Sequence, residues 1–126
     1  MKVSIIIPVY NEIKTIEIII NKVLQQTKFK KEIIVVDDGS TDGTVNIISK
    51  NLENKIDFFL KHEINQGKGS AIHTGLKYVS GDIVLIQDAD LEYDPSDYQN
   101  LLKPIIEGKC SVVYGSRVLG KKRYNF

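Results

Sequence analysis

Eight of the sixteen acidic residues in this 126-residue chain fall in three short stretches, each directly after an apolar run. They are Glu12 in PVYNE (8–12), Asp37, Asp38 and Asp42 in DDGSTDGT (37–44), and Asp88, Asp90, Glu92 and Asp94 in DADLEYDP (88–95). Two carboxylates about 4 Å apart repel by roughly 4 kcal/mol at an effective dielectric near 20, so clustered acids need hydrogen-bond donors, raised pKa values or a metal. Asp88 and Asp90 stand two apart, and in an extended chain such residues point to one side, where they can grip one cation. Oxygen ligands suit Mg²⁺ or Mn²⁺, which keep positions for water and substrate phosphates. The other reading of DAD is a helix-capping turn. Glu92 is either a third ligand or a solvated loop acid.

The remaining strand-end stretches offer complementary groups. In DDGSTDG the glycine permits a sharp turn, and the carboxylates can accept hydrogen bonds from a base or ribose; a plain turn with an N-cap is the competing reading. Tyr10 offers a face for stacking a planar ring, or else fills part of the core, and Glu12 offers an acceptor. Lys68, between glycines in NQGKGS (65–70), and Arg117, in GSR (115–117), are phosphate-binding candidates whose alternative is a solvated surface cation. His62 and His73 lack the spacing of a zinc site and read as structural.

Alternating elements must position these groups. Val3–Ile7, ended by Pro8, Glu32–Val36, Asp57–Lys61, Asp82–Gln87 and Ser111–Tyr114 read as strands, being short apolar runs bounded by turn residues. Helical spacing recurs between them: Ile16, Ile19, Ile20, Val23 and Leu24; then Val45, Ile47, Ile48 and Leu52, with Ser40 or Thr41 as cap; then the NQGKGSAIHTGLKYV segment; then Tyr98 to Ile106. Solid apolar strands separated by helices imply parallel pairing through right-handed crossovers, hence an α/β, Rossmann-like, mainly parallel sheet flanked by helices. Ligands bind beyond the carboxyl ends of such strands, where all these loops lie.

Length allows one domain, and 42% apolar with 26% charged residues excludes a disordered or fibrous chain. One cysteine, Cys110, cannot form an internal bridge, and no leader-like segment opens the sequence, which fits a cytoplasmic compartment. No apolar run approaches the roughly 18 residues of a membrane span, so membrane contact is expected only peripherally. The net charge of +1 divides unevenly: residues 117–126 hold four basic groups and no acid, leaving the body at −3. Between Lys77 and Lys103 there are six acids and no base, which argues against nucleic acid there and for a cation.

Taken in order, PVYNE, VVDDGSTDGT, NQGKGSA, SGDIVLIQDADLEYDP and YGSR resemble glycosyltransferase family 2, the inverting GT-A enzymes, and especially the dolichyl-phosphate mannosyltransferase and polyprenyl-phosphate branch. The resemblance covers nearly all of residues 1–126. It implies a C-terminally truncated GT-A domain whose first loops hold a nucleoside-diphosphate sugar of the GDP-mannose or UDP-glucose class. Pro8, Tyr10, Glu12 and Asp38, with Val36 and Asp37 beside them, then match donor-binding positions; Asp88 and Asp90, with Ala89 between them, match the DxD that binds metal and diphosphate, and Arg117 matches a phosphate-region arginine. Asp90 and Arg117 are the implied catalytic groups, and a polyprenyl phosphate or saccharide the implied acceptor. Glu92 departs from the glutamine often found there, and the segments that bind acceptor in the family lie beyond Phe126, so the chain is expected either to transfer or only to bind donor.

Other readings fit less well. A receiver domain of a signalling system needs an aspartate after the third strand and a lysine after the fifth, where this chain has His62 and Arg117. Phosphatases of the haloacid-dehalogenase type carry DxD on the first strand, and dinucleotide binding needs a GxGxxG that is absent.

Overall fold

A computed structural model describes residues 2–90, 95–97, 112–114 and 117–119. Their elements are β1 (Lys2–Val9), α1 (Ile16–Leu24), β2 (Lys30–Asp38), α2 (Thr44–Ile47), β3 (Phe58–His62), α3 (Lys68–Leu76), β4 (Ile83–Ile86), β5 (Val112–Tyr114) and β6 (Arg117–Leu119). A wide π turn (Ile48–Leu52) and a 3-10 turn (Glu53–Lys55) prolong α2. The strands lie in the order β3-β2-β1-β4-β5-β6, parallel except for the antiparallel β5–β6 pair. From β1 the chain steps outward to β2 and β3, then crosses to the other side of β1 for β4. The crevice between the carboxyl ends of β1 and β4 is therefore the topological switch point, the ligand-binding place of open α/β sheets.

Strand alternation sorts the core into two layers. Val3, Ile5, Ile7 and Val9 of β1, with Ile33 and Val35 of β2, meet Ile16, Ile19, Ile20 and Val23 of α1 and Ile48 and Leu52 of the π turn. Ile6, Ile34, Val36 and Ile86 face the other way, against Ala71 and Ile72 of α3. The same alternation carries past the apolar run, so Asp37 falls on the α1 side and Asp38 on the α3 side. Gly75 lets α3 lie close to the sheet, since a Cβ there would stand 2.8 Å from Ile6 Cγ2.

Three details differ from the sequence reading. Pro8 does not end β1 but lies within it, opposite Val36. Ile6 accepts Gln87 N–H on the β4 side (2.9 Å), so Pro8, two residues on, lacks its N–H on that same side, past the last β4 pair at Ile86. Ser40 and Thr41 do not cap α2: Gly43 holds the N-cap position at φ +96°, and Asp42 Oδ1 accepts Thr44 N–H at 3.0 Å. Arg117 is not in a loop, because it opens β6 and pairs with Tyr114. The helix expected from Tyr98 to Ile106 lies outside the described residues.

A polar network locks the amino edge of the sheet. Glu32, 4% exposed, accepts Ser4 Oγ–H (2.5 Å), Ser80 N–H (2.6 Å) and Ser80 Oγ–H (2.9 Å), with Lys2 Nζ at 3.5 Å. Burial pushes its pKa up, but these bonds and Lys2 outweigh burial and hold it below its ordinary 4.5. A depressed folded pKa means stability that is complete above the unfolded value and lost as pH falls through the folded one. In thermal unfolding between about pH 7 and about pH 3, the parent should therefore lose more melting temperature than Glu32→Gln. Parallel curves would show that Glu32 does not carry the acid sensitivity.

Candidate functional site

Side chains of one strand-end loop repeatedly hold the backbone of the next. Asn11 N–H donates to Ser40 Oγ (2.8 Å), Thr41 N–H to Asn11 Oδ1 (2.7 Å), Glu12 N–H to Thr44 Oγ1 (3.2 Å) and Ile13 N–H to Asp42 Oδ2 (3.2 Å), which ties the loop after β1 to that after β2. Burial opposes ionisation of Asp42, yet its bonds from Thr44 and Ile13 prevail and lower its pKa. The loop after β2 meets the one before α3 at Gly39 (φ +79°), where a Cβ would stand 2.6 Å from Asn65 N.

Asp38 is the central member. It is 3% exposed, and its Oδ1 takes Gln66 N–H (3.0 Å) and His62 Nδ1 (2.7 Å), while Oδ2 takes Gly67 N–H (2.8 Å). His62 Nε2 in turn meets Thr74 Oγ1 at 2.8 Å, so this histidine is structural and supports Asp38 from below. Asp37 points to the opposite side of the sheet; its Oδ2 accepts Ser40 N–H (2.9 Å), and its buried Oδ1 has no hydrogen-bond partner among the described residues.

Above this frame lies an open cleft of about 290 Å³, bordered by Pro8, Val9, Tyr10 and Glu12 from β1 and its loop, and by Asp38 and Asn65. Lys68 and Ala71 of α3 and Asp88, Ala89 and Asp90 complete it. Eight of the sequence-predicted residues thus meet: Pro8, Tyr10, Glu12, Asp38, Lys68, Asp88, Ala89 and Asp90. Tyr10 is 46% exposed, which settles against a core role. Val36 does not reach the cleft, being fully buried under α3 two residues before Asp38. Glu92 lies outside the described residues, and Arg117 is placed by its backbone at the start of β6. Sequence reasoning missed Asn65, although its loop was singled out, and missed Val9 and Ala71, whose apolar character signals core and gives no sign of a lining role.

Four carboxylates face one cleft, and Lys68 is the only cation among its described lining residues. Its ammonium pairs with Asp88. No three histidine, cysteine or acidic side chains among the described residues converge on one point. Two oxygen donors still suit Mg²⁺ or Mn²⁺, which typically take one or two carboxylates and complete their shell with water and substrate phosphates. The donor set therefore fits such an ion.

An acidic cleft at the switch point of a mainly parallel sheet of order 3-2-1-4-5-6, lined by Tyr10 and by Asp88 and Asp90, defines an α/β domain of the GT-A kind. The model of Glycosyl transferase family 2 matches residues 4–126, and the chain belongs to that family. It is 36% identical over 139 residues to the UDP-N-acetylglucosamine–dolichyl-phosphate N-acetylglucosaminyltransferase of Methanococcus voltae, across 97% of this chain and 54% of that protein. It is 35% identical over 134 residues to a dolichyl-phosphate beta-glucosyltransferase of Trichomonas vaginalis, across 96% and 41%. The chain thus spans about half or less of the length of these relatives. Among solved structures, it superposes on the mannosyltransferase PcManGT from Pyrobaculum calidifontis in complex with GDP-Man and Mn²⁺ (TM-score 0.70, 32% identity, 80% of this chain and 31% of that one). TarS 1-349 of S. aureus in complex with UDP-GlcNAc gives a TM-score of 0.68 at 34% identity, over 85% and 32%.

Proposed function

We propose that residues 1–126 form the donor-binding part of a metal-dependent, inverting glycosyltransferase that moves a hexose from a nucleoside-diphosphate sugar to a polyprenyl phosphate. The observation that carries this reading is the meeting of Tyr10, Glu12, Asp38, Lys68, Asp88 and Asp90 in one cleft at the switch point. Relatives named for dolichyl and undecaprenyl phosphate support the acceptor class, and the complexes with GDP-Man and Mn²⁺ and with UDP-GlcNAc support a nucleotide sugar with a divalent cation.

On this reading Tyr10 stacks on the base, and Glu12 and Asp38 accept hydrogen bonds from the nucleoside. Asp88 and Asp90, joined by Glu92, hold Mg²⁺ or Mn²⁺, which supplies charge to offset the departing diphosphate. Arg117 and Lys68 meet phosphate oxygens. A phosphate oxygen of the acceptor attacks the anomeric carbon as the bond to the donor diphosphate breaks, from the opposite face, so the centre inverts. The acceptor is already anionic and needs no base from this chain. No helix among the described residues is long and apolar enough to cross a membrane, and we place the encounter with the lipid-borne acceptor peripherally, at the cytoplasmic face.

Lone-pair counting favours a uridine donor. Asp38 Oδ1 already accepts two hydrogen bonds and Oδ2 one, which leaves a single acceptor position on Oδ2. One N–H suits that position, as in uracil; guanine offers an N–H and an amino group side by side, and its second donor has to turn to Glu12, Asn65 or water in the open cleft. Calorimetry with Mn²⁺ should find UDP bound more tightly than GDP. Equal affinities would sink the base assignment, and binding of neither would sink the site. Turnover with a polyprenyl phosphate then separates transfer from binding alone.

A further inference from the structure

We infer that Thr15 is a positioning residue for the Asp88–Asp90 pair, an inference that rests on the metal-binding reading of that pair. Thr15 holds the N-cap position of α1 (φ −120°, ψ −20°), where a threonine hydroxyl usually accepts an N–H from the first helical turn. Here it makes no such bond. Its Oγ–H donates instead to the carbonyl of Ala89, 74 residues further along the chain.

That carbonyl lies between the two aspartates. The β4 ladder ends at Ile86, so residues 88–90 have no strand neighbour among the described residues to set their peptide planes. Side chains do so: the carbonyl of Asp88 accepts Gln87 Nε2–H at 2.9 Å, and that of Ala89 accepts Thr15. Fixing the plane that joins Ala89 to Asp90 fixes where the Asp90 Cα stands, the point from which its side chain departs. Glu12 Oε2 stands 3.1 Å from the same hydroxyl, which has one proton to give. With that proton on Ala89, the Glu12 carboxylate remains an acceptor for a ligand in the cleft. The hydroxyl thus serves the loop that carries the metal ligands at the expense of its own helix.

Groups that orient metal ligands commonly change metal affinity by 10- to 100-fold when removed. Thr15→Val keeps the shape and the β-branch but donates nothing, while Thr15→Ser keeps the hydroxyl. Mn²⁺ is titrated in the presence of saturating UDP, UDP is titrated without metal, and thermal unfolding is followed for each protein. The expected result is a loss of about tenfold in Mn²⁺ affinity for Thr15→Val, unchanged metal-free UDP binding, and recovery of parental Mn²⁺ affinity in Thr15→Ser. If Thr15→Val does not fold, Thr15→Ala takes its place in the same comparison. Parental Mn²⁺ affinity in the folded variant, or a serine variant as weak as valine, overturns the role of Thr15. A parent whose UDP binding ignores Mn²⁺ overturns the metal reading beneath it, and the two failures are distinct.

Discussion

Asp90→Ala is expected to remove most of the Mn²⁺-dependent gain in UDP affinity and, in the enzyme that carries this domain, to slow sugar transfer by about 10²- to 10³-fold, or 2.7–4 kcal/mol of barrier. The size follows from where the charge lies. On the proposed mechanism, negative charge would build at the carboxyl ends of β1 and β4 as the diphosphate departs, and Asp88 and Asp90 would hold there the cation that offsets it. Asp90 is exposed, so its loss removes no core contact, and surface changes of this kind stay within about 0.5 kcal/mol of parental stability. Stability and binding must therefore be measured together. A variant with parental melting temperature and parental response to Mn²⁺ would exclude Asp90 as a ligand.

Gly39→Ala is expected to be the most damaging of the small substitutions. At φ +79° an alanine is already strained, and its Cβ would stand 2.6 Å from Asn65 N and 2.7 Å from Ile64 C. Both contacts are backbone, so relief requires the segment before α3 to move as a whole. Strain of this kind costs about 1–3 kcal/mol, to which the displaced segment adds, and a fall of roughly 10 °C in melting temperature is expected. Moving residues 64–65 also disturbs the neighbouring Gln66 and Gly67 amides that fix Asp38, so UDP affinity should fall as well. Gly69→Ala is the control: no atom lies within 4 Å of its added Cβ, and in α3 the change should stabilise by up to about 1 kcal/mol. Equal melting temperatures for the two variants would refute the close-approach argument.

How much of this was legible depends on the range of the interaction. The strands were readable because Ile5 to Ile7 and Ile33 to Val36 are buried on both faces, and such strands announce themselves as unbroken apolar runs. Their parallel pairing followed from the helices between them, and the strand-end rule then placed the loops of Tyr10, Asp38 and Asp88 along one edge before any coordinates. Boundaries were less legible. Pro8 reads as a strand ending because proline lacks a donor, and only the early end of the neighbouring strand reveals that this donor has no role there. Contacts across long separations were not legible at all. Nothing in the local sequence of Thr15 points to Ala89, and nothing near His62 points to Asp38, because these pairings arise when crossovers bring distant loops together.

The loops around the cleft are held by one another's side chains: Asn11 by Ser40, Thr41 by Asn11, Gln66 and Gly67 by Asp38, Ala89 by Thr15. For protein engineering this means that no single loop is a transplantable module. A segment grafted from a relative to change donor preference arrives without the hydroxyl or carboxylate that its new neighbours require, and leaves theirs unanswered. The exchangeable unit is a pair of loops with their shared bonds, such as 10–13 with 40–44 or 38 with 62–67, and specificity can be moved between scaffolds only in those paired pieces.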